Sequence, residues 1–352
     1  MKHHEREFFV SMIRCGEFIV NYNDLSLLIR PLTISQSYRA SIIYDEAYKQ
    51  AMIDGIMGED EITEWMMENN LWTEEHEIKT EGFKKDLEKL KIEIYNNRKD
   101  DKLRERIRLY LRTGEKQLAN HLKEKNTFYQ NTREGYALSE KVSWIIKNTT
   151  YYKDKLYDFK HVSLNYVIDE WQNSILSENI IRELAREEPW KSLWTTRENS
   201  RAKLFNISDN EELTSNQKHL LIWSQVYDNI QESMDCPTDD VIKDDDLLDG
   251  WFVIQAKKRE KDRLEKEFEE KNNNDKIKNA SEVYIMANPN EKNSIEKINA
   301  LNDPYSASIK KQRLEVIKQK GGHARQHDFL DEKQKMQMDA TNSMRNNFKG
   351  GR

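Results

Sequence analysis

Glycine and proline are scarce in this chain, with 11 glycines and 5 prolines in 352 residues. Because these two residues form most tight turns and interrupt helices, a chain with so few of them is poorly suited to a β-sandwich, which needs a turn after every short strand. Tryptophan, tyrosine and methionine are plentiful, with 8, 15 and 11 copies, and their large side chains can fill contacts between helices. The sequence therefore predicts a mainly α protein built from long helices.

The β signal is confined to the N-terminal part of the chain. Two apolar runs, Glu17–Tyr22 and Leu25–Pro31, flank a turn at Asn23 and Asp24. Apolar runs joined by a short polar turn predict a small β-hairpin. The missing N–H of Pro31 predicts that the second strand ends there or lies at an edge of the sheet.

Two helices are predicted after the hairpin. The first is expected to begin at Ser35 or Ser37 and to end at Gly55, because apolar residues between them recur at intervals of three or four. The second covers about 58–67, where acidic residues in the first turn favour a helix N-terminus. Thr73 then has the position of an N-cap, without the Glu three residues later that completes a capping box.

A pair of longer helices is predicted for residues 76–126. Leucine, isoleucine and phenylalanine recur along two seams at steps of three, four or seven residues, and Asn96–Asp100 provides a polar reversal between them. This pattern predicts an antiparallel helical hairpin of coiled-coil type.

Residues 127–272 are rich in aromatic side chains and predict a helical bundle. Helices are expected at about 132–148, 163–175, 177–187 and 211–233, and a highly charged helix follows the acidic cluster Asp244–Asp246. We interpret that cluster as the acidic N-terminus of the charged helix. It fails as a calcium loop because Leu247 stands where an oxygen ligand is required.

The last region, residues 273–352, has few aromatic residues and many Asn, Gln and Lys residues. Such a composition offers little apolar surface to bury, so we expect an extended basic tail with transient helices. The predicted regions are an N-terminal hairpin with short helices (1–75), the helical hairpin (76–126), the aromatic-rich helical domain (127–272) and the tail (273–352).

The sequence contains no recognised motif for catalysis or cofactor binding. The glycine patterns that cradle nucleotide phosphates are missing from the sequence, and its two cysteines, Cys15 and Cys236, cannot form a disulfide framework or a thiolate zinc site. His323 and His327 have a spacing that could place both imidazoles on one helix face, but we favour solvated histidines there. We assign no catalytic residue, metal or cofactor, and expect a protein that is not an enzyme.

Two sets of residues are candidates for partner binding. Trp190 and Trp194 are four residues apart and would share a helix face, where they form part of the helical core or, alternatively, an exposed surface that holds a partner. The favoured reading is burial in the core. The second set is a run of cations in the tail that could contact phosphates or an acidic protein: Lys310, Lys311, Arg313, Lys318, Lys320 and Arg325.

Charge and hydropathy indicate which partners and which cellular compartment to expect. The formal net charge is -6, so attraction of the whole chain to nucleic acid is not expected, and any such contact is confined to the tail. No apolar stretch reaches the roughly 18 residues of a membrane span, and the N-terminus lacks the apolar core of a secretory leader. We expect a soluble protein of a reducing cytoplasm without a membrane partner.

Two parts of the sequence resemble phage proteins. One is a small hairpin followed by the phrase Leu28-Ile29-Arg30-Pro31-Leu32-Thr33, a helix rich in Tyr and Ala, and the phrase Asn70-Leu71-Trp72-Thr73-Glu74-Glu75. This order resembles the opening of tailed-phage tail-assembly proteins, including the tail assembly chaperones. The phrase Asp244–Phe252 resembles segments of large-phage virion-associated proteins, and together the two cover about a quarter of the chain.

The resemblance implies a role in tail or virion assembly, with no catalytic residues to carry over. Partners would be other tail or virion proteins, such as the tape measure or a baseplate protein, met in the host cytoplasm during assembly. The chain would act either as a structural component of the virion or as an assembly chaperone. The alternative hypothesis is a nucleic-acid-associated factor that binds through the basic tail.

Overall fold

A computed structural model describes residues 1–196 and 204–272 of the chain, with side chains up to residue 266. Twelve α-helices and four short β-strands make up most of this part, which confirms the mainly α fold class. Contacts divide the chain into two units, Met1–Ile254 and Gln255–Arg352. The predicted tail, 273–352, lies outside the described residues, and so do its six candidate cations.

The first unit contains a β-hairpin near the N-terminus and a series of helices. In chain order the elements are α1 (His3–Cys15), β1 (Phe18–Tyr22), β2 (Leu25–Ile29), α2 (Ile34–Ile53), α3 (Glu59–Glu68), α4 (Glu74–Asn96), α5 (Asp101–Lys125), a 3-10 turn (Tyr129–Asn131), α6 (Arg133–Thr149), β3 (Thr150–Tyr152), β4 (Lys155–Leu156), α7 (Leu164–Asn173), α8 (Glu178–Arg186), α9 (Trp190–Thr195), α10 (Ser215–Glu232) and α11 (Asp239–Lys243). Helix α12 (Asp245–Asn272) begins in this unit and continues into the second.

The predicted β-hairpin is confirmed, and it belongs to a larger sheet. Strands β1 and β2 pair antiparallel around the Asn23-Asp24 turn, and the strand order is β1-β2-β3-β4. Strand β2 pairs with β3 through Leu28 with Tyr151 and Ile29 with Thr150. Strands β3 and β4 were not predicted, because strands of three and two residues are too short to show a period. Through this pairing, the N-terminal and aromatic-rich segments share one sheet.

Capping explains where α2 begins. Its N-cap is Thr33, two residues before Ser35 and four before Ser37, the two predicted starts, and the backbone N–H of Gln36 donates to the Thr33 hydroxyl at 3.2 Å. The backbone N–H of Thr33 donates in return to the Gln36 side chain at 2.9 Å, which completes a capping box. Helix α1 was not predicted at all, although its buried residues Val10 and Ile13 are spaced for a helix.

The predicted helical hairpin is confirmed as α4 and α5, which pack against each other. The chain reverses at residues 97–100, and the Asp100 carboxylate accepts from the backbone N–H of Leu103 at 3.1 Å to cap α5. The helices predicted in the aromatic-rich region are also present, as α6, α7, α8 and α10. The structure therefore agrees with the predicted helical architecture of this region.

Two apolar cores organise the first unit. The larger core joins helices of the hairpin to those of the aromatic-rich region, with Ile94, Leu111, Leu184 and Leu220 among its buried side chains. The smaller core packs the β-hairpin against α6 and α7. Helix α2 packs along α6, so the N-terminal segment contacts the aromatic-rich segment at both the sheet and this helix pair.

A cluster of ion pairs joins the hairpin to the start of α12. Four carboxylates, Asp244, Asp245, Asp246 and Asp249, lie within six residues of chain and face cations from three other helices. The cations are Lys91 of α4, Arg108 and Arg112 of α5, and Arg182 and Arg186 of α8. The prediction that the acidic cluster begins the charged helix is confirmed, since α12 begins at Asp245.

Arg182 is the most buried cation of this cluster, with 4% of its side chain exposed. It binds Asp249 at 2.7 Å and Asp245 at 3.3 Å, and its guanidinium lies 4.3 Å from the ring centroid of Trp223. Arg112 also pairs with the cluster, through Asp246 at 2.7 Å, but 54% of its side chain is exposed. The two arginines therefore make similar ion pairs in very different solvent environments.

Gly250 allows the backbones of α12 and α4 to approach closely. A Cβ atom built at this position would lie 2.2 Å from the carbonyl oxygen of Lys91 and 2.8 Å from the Tyr95 side chain. Because the nearest obstacle is backbone, the clash cannot be relieved by a side-chain rotation. Gly82, in the middle of α4, has nothing within 4 Å of the corresponding position.

The two glycines give a matched test of this close approach. Gly250→Ala is expected to lower the free energy of unfolding by about 1–3 kcal/mol, because overpacking outweighs the better helix propensity of alanine. Gly82→Ala is expected to raise it by up to about 1 kcal/mol. Urea denaturation of both variants checks the prediction, and equal stabilisation by the two changes would contradict the close contact.

The ion-pair cluster generates a second prediction. Arg182→Ala is expected to cost about 3–5 kcal/mol of stability, because it leaves carboxylates without their buried partner. Arg112→Ala, which removes an exposed partner of the same cluster, is expected to cost about 1 kcal/mol or less. Thermal and urea unfolding of the two variants measure the difference, and similar losses would show that burial does not control the strength of these pairs.

Candidate functional site

An open cleft of about 210 Å³ lies where the β-hairpin meets α1, α6, α7 and the start of α10. Apolar side chains form much of its wall. The lining includes Met12, Ile13, Phe18, Ile29, Pro31, Leu32, Ile145, Trp171, Ile175 and Leu213. A dry engineered cavity of about 150 Å³ holds benzene, so this cleft has room for one or two apolar side chains.

The phrase Arg30-Pro31-Leu32-Thr33, which carries the resemblance, forms one side of this cleft. The backbone N–H of Arg30 donates to the Thr149 carbonyl at 3.0 Å, so the phrase extends the pairing of β2 with β3 by one residue. The next two residues line the cleft, and Thr33 caps α2. Each residue of the phrase therefore has a structural position that the sequence alone did not reveal.

A second segment is held against the phrase by backbone hydrogen bonds. The N–H of Glu212 donates to the Leu32 carbonyl at 2.7 Å, and the N–H of Ile34 donates to the Asn210 carbonyl at 2.8 Å. This segment continues into α10, whose N-cap is Thr214. These bonds bring Leu213 into the cleft, 180 residues along the chain from Thr33 at the end of the phrase.

Gly16 and Gln217 fix the position of α1 beside the cleft. Gly16 ends α1 with a φ of 74°, a left-handed conformation that favours glycine. A Cβ atom at this position would lie 2.9 Å from the Gln217 side-chain nitrogen. That nitrogen donates to the Ile13 carbonyl at 2.9 Å, so the buried amide of Gln217 ties α1 to α10.

Charges of both signs stand around the apolar wall. Arg30 lies 3.5 Å from Glu17 and 2.8 Å from Asp154, and its guanidinium lies 4.7 Å from the ring centroid of Tyr151. Lys218 faces Glu212 at 3.9 Å on the other side. An apolar surface bordered by mixed charge is typical of protein-binding sites, where apolar contacts lie at the centre and polar contacts at the rim.

The two candidate tryptophans do not line this cleft, and the structure places both in the larger core. Trp190 is fully buried and Trp194 is 9% exposed, which confirms the prediction of burial. The indole N–H groups donate to Ser224 and Asp228, each at 2.8 Å. The alternative, an exposed partner surface, is wrong because the two indoles stack on each other and that of Trp190 also stacks on Phe205.

A second cavity, of about 260 Å³ and more polar than the cleft, borders Trp194 and Tyr227. Its walls include both cations and carboxylates, among them Arg186 and Asp228. Burial raises the pKa of Tyr227, while Arg186 and Arg182 oppose that shift. The phenol is therefore a neutral hydrogen-bond partner of Arg186, at 3.2 Å, and part of the structural network around Asp245.

An aromatic cluster joins the start of α4 to the end of α5. Trp72 stacks on His76 with ring centroids 4.9 Å apart, and its ring is tilted against that of His121 with centroids 4.8 Å apart. The N–H of Thr73 donates to Nδ1 of His76 at 3.1 Å, so an imidazole takes the place of the Glu that a capping box was expected to need. The expectation that Thr73 lacks a capping-box partner is therefore wrong, because the imidazole of His76 accepts this hydrogen bond.

Glu77 links that aromatic cluster to Lys125. The hydrogen bond from Lys125 and then that from the Trp72 indole hold the pKa of Glu77 below its usual value. The indole Nε1 lies 2.9 Å from the carboxylate, and the ammonium of Lys125 lies 2.5 Å from it. Glu77 is thus a paired carboxylate in the first turn of α4, where the helix dipole also favours a negative charge.

The part of the chain that the structure describes contains no group of three His, Cys, Asp or Glu side chains placed to bind a metal ion. Within the same residues, no helix has an apolar stretch long enough to cross a bilayer. The candidate histidines His323 and His327 lie outside the described residues.

No protein-family model, curated protein or solved structure matches this chain.

Glu77 provides a test of the charge contacts at this junction. Glu77→Gln keeps the acceptor for the Trp72 indole but loses the charge, and is expected to lower stability near neutral pH by up to about 1 kcal/mol. Because the folded-state pKa is lowered, the advantage of the wild-type protein is present above the unfolded pKa of about 4.3 and disappears as the pH falls through the folded value.

Glu75→Gln is the matched control, since Glu75 lies in the same first turn and is exposed. Its substitution is expected to cost less at neutral pH, because only the interaction with the helix dipole is lost. Urea denaturation between about pH 3 and pH 7 measures both variants. If the difference in the free energy of unfolding between the wild-type protein and Glu77→Gln stays constant across this pH range, the ionic contribution of Glu77 is contradicted.

Proposed function

We propose that the chain is a non-enzymatic interaction protein of tailed-phage assembly, which binds a segment of another tail or virion protein in the cleft beside Arg30-Pro31-Leu32. The observation that carries the proposal is the position of this phrase. The phrase resembles the opening of tail-assembly proteins, and it lines an open apolar cleft bordered by Glu17, Arg30, Glu212 and Lys218.

The shape of the cleft supports a protein segment as the ligand. An open cleft of about 210 Å³ with a largely apolar wall accommodates one or two apolar side chains, while the paired charges at the rim can contact the backbone or polar groups that flank them. Strand pairing, the cap of α2 and the Gln217 amide hold the walls in place. A preformed cleft lowers the entropy cost of binding.

Two roles fit such a cleft: a component that stays in the virion and a chaperone that releases its partner. Partners of either kind are tail or virion proteins, with the tape measure and a baseplate protein as candidates. Quantitative immunoblotting of purified particles and of infected-cell lysate separates the roles. A component is enriched in particles, whereas a chaperone is found with a tail protein in the lysate only.

A pair of exposed isoleucines tests the cleft itself. Ile175 lines the cleft and is 44% exposed, whereas Ile222 is 57% exposed on α10 and does not line it. Ile175→Glu is expected to weaken co-purification with a tail or virion protein by at least about ten-fold, since it places a charge in the apolar wall. Ile222→Glu is expected to leave it unchanged.

The readout is the amount of tail or virion protein that co-purifies with the tagged full chain from infected cells. Circular dichroism melting of both variants checks that the fold is retained. If both variants retain as much tail or virion protein as the wild-type chain does, binding at this cleft is contradicted. Absence of the chain from particles, together with no phage protein bound in lysate, would contradict the assembly role.

A further inference from the structure

We infer that the outer face of α5 is a docking surface for an acidic amphipathic helix of a partner protein. The face follows one line of the helix at steps of four and three residues. Its members, which we call the outer stripe, are Lys102, Arg106, Leu109, Thr113, Lys116 and Asn120, with Tyr110 beside Leu109. This stripe shares no residue with the cleft of the proposed function.

The stripe carries apolar side chains in a position that packing among the described residues does not explain. Leu109 is 70% exposed and Tyr110 is 60% exposed, while Ile107 and Leu111 on the inner face are buried in the larger core. The inner apolar face of α5 is therefore already buried in the core. The outer pair forms a second apolar contact point on the opposite side, flanked by cations at both ends.

Charge pairing also differs between the two faces. Arg108 and Arg112 on the inner side bind Asp244 and Asp246. Among the described residues, by contrast, Lys102, Arg106 and Lys116 form no ion pair and no side-chain hydrogen bond. The line of the stripe contains no Asp or Glu from Lys102 to Asn120. The partner that complements it supplies carboxylates.

The spacing of the stripe selects a helix as the partner. Steps of four and three residues are those by which one helix packs along another, with apolar residues at the seam and charges beside it. At about 1.5 Å per residue, Arg106 and Lys116 lie about 15 Å apart along the axis. A partner helix with apolar residues opposite Leu109 and carboxylates about ten residues apart matches both features.

Other occupants fit the charges less well. A second copy in a two-fold arrangement would oppose cationic stripes of the same kind. The segment 273–352 of this chain has 15 Lys or Arg residues against 10 Asp or Glu residues, so it shares the sign of the stripe. A nucleic acid meets only three cations here on a chain whose net charge is -6, whereas phosphate binding relies on many such contacts.

The test uses the full chain and a labelled synthetic helical peptide with leucines on one face and glutamates beside them. A scrambled peptide of the same composition and a single-stranded DNA oligonucleotide serve as comparisons. Fluorescence anisotropy at about 0.05 M and about 0.5 M salt measures affinity and its salt dependence. The wild-type chain is expected to bind the helical peptide more tightly than either comparison, and less tightly at high salt.

Variants locate the binding on the stripe. The double change Arg106→Glu with Lys116→Glu is expected to weaken binding of the helical peptide at least about ten-fold. The control, Lys49→Glu with Lys147→Glu, makes the same change in net charge at exposed positions on α2 and α6, and is expected to leave binding unchanged. Leu109→Ala is expected to weaken binding without altering its salt dependence.

Circular dichroism melting confirms that all these surface variants keep the fold. An equal loss in the control double variant would overturn the proposal, because net charge alone would then explain the binding. Tighter binding of the oligonucleotide would overturn it in favour of a nucleic acid. Light scattering that shows a dimer lost in Arg106→Glu with Lys116→Glu would overturn it in favour of a second copy.

Discussion

Four carboxylates at the start of α12 are the constraint on which the arrangement of the helices depends. Asp residues so close in the chain repel one another unless cations lie beside them, and here the cations come from α4, α5 and α8. The four helices therefore meet at one point. Two features make this helix arrangement specific. The buried guanidinium of Arg182 would be destabilising without its carboxylate partners. Any residue with a Cβ at position 250 would clash with the backbone of α4.

This constraint gives the phrases Leu28–Thr33 and Asp244–Phe252 different positions in the fold. The phrase Asp244–Phe252 is occupied by contacts within the chain, since its carboxylates bind arginines and its apolar residues Leu247, Leu248 and Trp251 are buried. The phrase that ends in Pro31 and Leu32 borders an open cleft instead. The partner that we propose would have access to Pro31 and Leu32, whereas Asp244–Phe252 contributes to the stability of the fold.

Helix α5 has an inner face that packs within the chain and an outer face that is exposed, and both combine cations with apolar residues. Its arginines on the inner face are neutralised by the carboxylates of α12, and its leucine and isoleucine side chains on that face enter the core. The outer face repeats the same combination of cations and apolar residues without a counterpart in the described part of the chain. The cleft and the outer stripe would take partners of different chemistry, because the cleft rim has both signs of charge and the stripe has one.

The sequence by itself determined most of the local structure of this protein, apart from α1, β3 and β4. Apolar spacing predicted the helical hairpin and the helices of the aromatic-rich region, and the two runs around Asn23-Asp24 predicted β1 and β2, because these patterns act between neighbouring residues. Only the tertiary structure decided that β2 pairs with β3, that Leu213 and Pro31 line the same cleft, and that the acidic cluster binds Arg182. Those contacts join residues more than 60 positions apart, and a single sequence carries no local period that specifies such pairs.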